Sequence, residues 1–234
     1  MQMSKLQEQP PVSRDIVAPD DITVLLCTEA NSMYPQSLVL CESIRTFAGA
    51  YSNVDIVAVS PRPELALDSS SRSRLQEFGV EYVVEDLNRT GSPYGAINRI
   101  VASAWAEKNS ARNFILALDS DIAFVEEPRF MDADVGVRPV DMKGATSSGP
   151  DDPQDEYWKA MCEVGGIGID TLPMLTTTVD KQRIRASYNG GFSLIRRNRG
   201  IFQTAKDVFF RSYEANLKPF HGHGLNIKAS SGVS

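Results

Sequence analysis

The chain has 234 residues, 42% of them hydrophobic, and a formal net charge of -6. That acidic balance, with a pI near 5.0, excludes a general nucleic-acid binder, whose footprint is basic. The length suits one substantial α/β domain or two small ones, and no apolar run is long enough for a transmembrane segment. Cys27, Cys41 and Cys162 form no close-spaced pair, and an odd count is a poor disulfide framework. Cys27 and Cys41, in apolar runs, predict buried thiols, and the cysteine usage a reducing, cytoplasmic setting.

Residues 1–20 are polar, carry Pro10, Pro11 and Pro19, lack a signal-peptide core and read as a loose lead-in. Ile22 to Cys27 is a continuous apolar run, predicting a buried strand. A loop from Thr28 to Met33 leads to a helix over Pro35 to Ala50, with Leu40, Ile44, Phe47 and Ala48 on its buried stripe and Gly49 at its end. Val54 to Val59 predicts a second strand, Ser71 to Phe78 a short helix, and Glu81 to Val84 a third strand. Ser92 and Pro93 predict a helix start, with Ser as the N-cap and Pro at the first helical position. Ile97, Ile100, Val101, Ala104 and Trp105 then form an apolar stripe reaching about Lys108. Phe114 to Leu118 is the next buried strand. Strands alternating with helices over this half imply a mostly parallel sheet.

Beyond Asp121 the pattern loosens. Val135 to Val137 predicts a short strand, residues 144–156 a polar and mobile loop, and Tyr157 to Val164 a short helix. Asn189-Gly190-Gly191 reads as a turn before a last strand, Phe192 to Ile195, and Ile201 to Leu217 as an amphipathic helix. Charge is uneven: residues 119–170 carry 13 acidic and 4 basic groups, and residues 181–218 carry 9 basic and 2 acidic. This predicts either two solvated faces or an acidic metal site opposite a basic phosphate-facing wall.

The stretch most suggestive of chemistry is Asp119-Ser120-Asp121, directly after the five-residue apolar strand. Strand period would place both carboxylates on one side if the strand continued. Two like charges there call for a cation, and a divalent ion with oxygen ligands supplies it. In open α/β sheets ligands bind just beyond the carboxyl ends of the strands, where this pair falls. A plain strand-to-loop turn is the alternative.

This segment resembles the Asp-x-Asp strand end of nucleotide-sugar-dependent glycosyltransferases with the GT-A fold. Leu25 to Thr28 with Tyr34 and Ser37 to Ile44 is similar to the first strand and helix of the glycogenin-like and galactosyltransferase-like members. Arg99 stands where such members often carry a basic donor-binding residue, and Ser187 to Arg196 is similar to their later Asn-Ala/Gly-Gly segment. The resemblance spans roughly residues 22–197. It implies an α/β, GT-A-like fold with a mixed, mostly parallel sheet flanked by helices. It divides the chain into a flexible lead-in (1–20), one catalytic domain (21–220) and a tail (221–234).

What the resemblance implies for chemistry is a metal-dependent transferase, with hexosyl transfer favoured. Its donor is a nucleoside diphosphate sugar, with a UDP-sugar favoured, and its acceptor a hydroxyl such as one on a glycan. Mn²⁺ or Mg²⁺ would be held by Asp121 and by Asp119, which binds the metal or a ribose hydroxyl. Asp119, Asp121 and Asn189 form the implied catalytic set. Thr28, Tyr34, Arg99, Asp119, Ser120, Gly190 and Gly191 form the donor set, and His221 or His223 supplies a further metal ligand. Tyr34 and Arg99 read equally as a core residue and a solvated helix residue. Family members also carry an acidic-Gln segment after the Asn-Gly-Gly strand, and none follows Ile195. The expectation is therefore a chain ending before part of the catalytic half. Asp151, Asp152, Asp155 and Glu156 offer a general base or simply a solvated loop, and Trp158 a stacking or packing residue.

Two other readings compete. One is a haloacid-dehalogenase-like phosphatase with Asp119 as nucleophile, although Ile122-Ala123 departs from that family's usual continuation. The other is a non-catalytic sugar-nucleotide-binding domain. A dinucleotide-binding turn is absent, since Thr28-Glu29-Ala30-Asn31-Ser32 follows the first strand.

Overall fold

A computed structural model describes residues 15–92 and 95–217. β1 (Ile22–Cys27), α1 (Met33–Phe47), β2 (Asp55–Ser60), α2 (Ser69–Gln76), β3 (Val80–Val84), α3 (Gly95–Asn109) and β4 (Phe114–Leu118) follow in turn. β5 (Val135–Pro139), α4 (Asp155–Gly165), β6 (Met174–Thr176), β7 (Arg183–Arg185), β8 (Tyr188–Arg196) and α5 (Ile201–Glu214) complete the described chain. The main sheet has six strands in the order β3-β2-β1-β4-β8-β5. β1 to β4 are parallel, and β8 runs antiparallel between β4 and β5. This is the expected mixed, mostly parallel sheet flanked by helices. Among the described residues no helix is long and apolar enough to cross a membrane.

Side chains of successive strand residues point to opposite faces, and the core divides accordingly. Val24 and Leu26 of β1 with Leu116 and Leu118 of β4 pack with Leu40, Cys41 and Ile44 of α1. Leu25 and Cys27 with Ile115 and Ala117 pack with Ala102 and Ala106 of α3, and with Ile201 and Phe202 of α5. Every residue of β1 and β4 is buried, as expected for strands covered on both faces.

The structure departs from the sequence expectations at several points. Phe47 is exposed rather than core-facing. The space beneath the end of α1 belongs to Tyr51, edge-on to Phe130 at 5.0 Å and donating its hydroxyl to the Val17 carbonyl. α3 is buried well beyond its predicted stripe, at Asn98, Ala102, Ser103, Ala106 and Glu107. It lies between the sheet and α5, and Glu107 accepts from the backbone N–H groups of Phe202 and Gln203 at the start of α5. Asn189-Gly190-Gly191 is part of β8, not a turn before it. The β6–β7 hairpin has no counterpart in the predicted elements. Ser92 falls just before a gap in the described residues, and the Pro93 helix start lies outside them, as do most of the lead-in and the tail.

The polar stretch 144–156 is not a loose loop. Ser147 bonds the Asp155 carboxylate, and Ser148 and the Lys143 ammonium hold Asp152. The Trp158 indole N–H donates to the Ala145 carbonyl at 2.9 Å. The uneven charge resolves in the same way. Arg185 pairs with Asp155, Arg196 with Asp132 and Asp134, and Arg199 with Asp134. Three of the nine basic groups thus neutralise acidic ones across the fold.

Candidate functional site

The strand alternation carries past the end of β4. Asp119 continues the parity of Ile115 and Ala117, on the α3 side, and there Arg99 Nη1 of α3 donates to both its oxygens at 2.6 and 2.8 Å. Ser120 continues the parity of Leu116 and Leu118, on the α1 side, and its hydroxyl donates to Gln36 of α1 at 3.1 Å. The chain then turns, with the Ile122 N–H donating to the Asp119 carbonyl at 3.3 Å. Asp121 therefore leaves the strand direction and stands exposed, without a hydrogen-bond or ion-pair partner among the described residues. The two carboxylates are not equivalent: one is neutralised and the other is open to solvent.

Both line a cleft of about 330 Å³, with Cys27, Gln36, Gly95, Arg99 and Ser120 among its walls. The cleft lies at the carboxyl ends of β1 and β4, where α/β sheets take their ligands. β8 runs beside it, against the Arg99–Asp119 pair. The Asp119 N–H donates to the Gly191 carbonyl at 2.9 Å, and Asn189 Oδ1 accepts from the Gly191 N–H at 2.8 Å. A Cβ on Gly190 would stand 2.5 Å from Arg99 Nη2, and one on Gly191 2.6 Å from Asp119 Oδ2. The glycine pair therefore makes room for the Arg99–Asp119 ion pair. The structure brings together Arg99, Asp119, Ser120, Asp121, Asn189, Gly190 and Gly191 as a single group.

Tyr34 packs half-buried against the α1-side core. Thr28 is fully buried, and its Oγ1 has no hydrogen-bond partner among the described residues. His221 and His223 lie outside the described residues. Cys27 borders the cleft, and burial first, then the Glu29 carboxylate, push its thiol up to about 12. It is a neutral wall rather than a nucleophile. In the 144–156 stretch, Asp155 is held below the usual carboxylate range, chiefly by Arg185. Burial alone would raise the Asp152 carboxyl, but Lys143, the Gln154 N–H and Ser148 together hold it low. Both are committed acceptors, poorly suited to take a proton.

A second polar group adjoins the cleft. Glu29, fully buried, accepts from Arg62 Nε and Nη2 at 2.8 and 2.5 Å, from Asn98 at 3.0 Å and from Asn31 at 3.4 Å. Sequence reasoning passed over Glu29, Arg62, Asn98 and Gln36. The available signals were a charged residue immediately after a buried strand and an arginine wedged between Pro61 and Pro63.

The donor set fits one kind of metal ion. Among the described residues no three His, Cys, Asp or Glu side chains gather into a cage. Asp121 with Asp119 offers hard carboxylate oxygens only, as does a Mg²⁺ or Mn²⁺ site completed by phosphate oxygens and water.

The family model described as the Rhodobacterales glycosyltransferase domain matches residues 24–217. No curated protein sequence matches the chain. Among solved structures it is similar to the galactosyltransferase LgtC in complex with donor and acceptor sugar analogs, at 14% identity and a TM-score of 0.42, covering 85% of this chain and 66% of that one. It is similar to the apo form of the glycosyltransferase GlyE of Streptococcus pneumoniae, at 13% identity and 0.43, covering 83% and 40%. It is also similar to the mannosyltransferase Ktr4p of S. cerevisiae, at 8% identity and 0.46, covering 85% and 64%. The chain thus spans less than two thirds of the length of each.

Proposed function

The chain belongs to the Rhodobacterales glycosyltransferase domain family, and from that premise we propose that it moves a sugar from a nucleoside diphosphate sugar to a hydroxyl acceptor. The observation that carries this reading is the division of labour at the end of β4, where Arg99 neutralises Asp119 and Asp121 stays open beside the same cleft. Asp121, with Asp119 beside it, would hold a divalent ion. When bound, that ion supplies positive charge for the diphosphate as it leaves. Arg99 adds a fixed cation in a partly water-excluded cleft, where charge acts more strongly than in bulk water. Asn189 and the Gly190-Gly191 backbone, packed against the Arg99–Asp119 pair, would face the sugar of the donor. Because Arg99 holds both Asp119 oxygens, Asp121 is the carboxylate better placed for the ion, and the phosphatase alternative would have to dislodge Arg99 before Asp119 could attack phosphorus.

The test is a thermal-shift panel of UDP, GDP, ADP and CDP with and without Mn²⁺, on wild type and Asp121→Ala, followed by hydrolysis of the matching sugar nucleotide. A ligand that binds only the folded state raises the midpoint by mass action. One nucleotide giving a Mn²⁺-dependent rise, abolished in Asp121→Ala together with at least about 100-fold of the hydrolysis rate, is the expected result. A phosphorylated Asp119 in a phosphatase assay, with no nucleotide response, would overturn it.

A further inference from the structure

The buried group around Glu29 borders the cleft without lining it, and the proposed chemistry leaves it without a role. Glu29 collects side chains from its own loop and from two other segments. Asn31 follows β1 and also accepts from the Met33 N–H at the start of α1, Arg62 follows β2, and Asn98 belongs to α3. Asn98 is itself fully buried, and its Oδ1 accepts from Asn88 at 2.7 Å, beyond β3. Every polar atom of the Asn98 amide oxygen and nitrogen thus has a partner on a segment other than α3.

Burying a carboxylate and a guanidinium is a poor way to gain stability, because the desolvation of both charges offsets their attraction. What such a pair does well is define one geometry. Here the geometry concerns the rotation of α3 about its axis. Neighbouring helix residues are about 100° apart around that axis, so fixing Asn98 fixes the direction in which Arg99 leaves the helix. Arg99 has little tolerance: Nη1 must reach both oxygens of Asp119, and Nη2 must clear Gly190, where even a Cβ would approach to 2.5 Å.

We infer that Asn98, clamped between Glu29 and Asn88, is a positioning residue that aims Arg99 at Asp119. The two polar groups are one device, with Asn98 facing the buried carboxylate and Arg99 facing the cleft. Cys27 marks how close they come, since Glu29, Arg99 and Asp119 all act electrostatically on its thiol. The inference deepens the proposed donor site and rests on that reading for its purpose. The contact itself can be read without any donor.

The experiment is side-chain ¹⁵N–¹H NMR of arginine in the full chain. A guanidinium held by a carboxylate rotates slowly and gives resolved Nη signals at low temperature, and Arg99→Lys identifies those of Arg99. Asn98→Leu removes both amide bonds while keeping the branched shape of the side chain, and Asn98→Ala removes them with a cavity. Two variants are made so that either folded one suffices. Val101→Ala, a core truncation on the same helix, controls for general loosening. The expected result is loss of the resolved Arg99 signals in the Asn98 variants, as in Asp119→Asn, with retention in Val101→Ala despite its lower melting midpoint. Arg99 signals unchanged in a folded Asn98 variant, or lost equally in Val101→Ala, overturn the inference. Because no nucleotide is present, neither result can be confused with failure of the transferase reading.

Discussion

The two sides of Asp119 are held together by different physics. Before it, β1 and β4 are buried along their whole length, and the contacts that matter are Leu, Ile and Val on both faces of a parallel sheet. After it, β5 and β6 have no fully buried residue. Much of that half is held by polar contacts: Arg185 with Asp155, Lys143 with Asp152, and Arg196 with Asp132 and Asp134. Apolar burial tolerates rough matching of shape, whereas a buried ion pair stabilises only when both partners are in place. The first half should therefore tolerate volume-conserving apolar swaps, and the second should not tolerate the loss of either partner of a pair.

The largest effect expected comes from the apolar half. Leu116→Ala opens a cavity in the centre of β4 and should cost about 4 kcal/mol in chemical unfolding. A cost under about 1 kcal/mol would mean that β4 is less central than its burial implies.

The next tests the polar half. Arg185→Ala strands Asp155 with only Ser147 for company, and should cost about 3 kcal/mol. Replacing the pair together, Asp155→Leu with Arg185→Met, should recover most of that loss, since two apolar side chains need no partner. If the double variant is no better than the single one, Asp155 and Arg185 do not act as a pair and the contrast between the halves fails.

The smallest effect is in pH, and its sign differs between the halves. The Cys27 thiol is held up to about 12, by burial first, against an ordinary value of 9.0. Its contribution is intact below 9.0 and is lost as pH rises toward 12, because only the unfolded chain ionises there. Asp152 and Asp155 are held low, so their contribution is intact above the ordinary 3.8 and is lost as pH falls below it. Urea midpoints should show Cys27→Ala losing less stability than wild type on going from about pH 7 to about pH 10.5. Asp152→Asn should likewise be the less sensitive protein toward acid. Equal pH responses in wild type and both variants would contradict this assignment.

The same contrast explains what could be read from the residues alone. β1 and β4 were legible to the residue, because a continuous apolar run bounded by polar residues has few other solutions. The parity of Asp119 followed from the same run, and so did its place at the sheet's carboxyl edge. The parity of Asp121 did not, because the chain turns there and alternation no longer applies. The β6–β7 hairpin, the ordered 144–156 stretch and the Glu29 group were not legible. Each depends on polar contacts between residues far apart in sequence, such as Arg185 with Asp155 or Asn98 with Glu29, and these leave no periodic trace. Asn189-Gly190-Gly191 reads in the sequence as a turn before the last strand, whereas its glycines make room inside β8 for the Arg99–Asp119 pair.

The pairing of β8 with β4 has a consequence for how this protein comes into being. The amide of Asp119 is satisfied by the carbonyl of Gly191, about seventy residues downstream, and contacts between such distant residues form slowly. During translation the parallel strands can assemble while β8 is still unmade. Throughout that interval the β8-facing edge of β4 is unpaired, and the glycine pair that makes room for Arg99 and Asp119 does not exist. A ribosome paused before residue 188 would carry a chain with its sheet begun and an unpaired strand edge open to other chains.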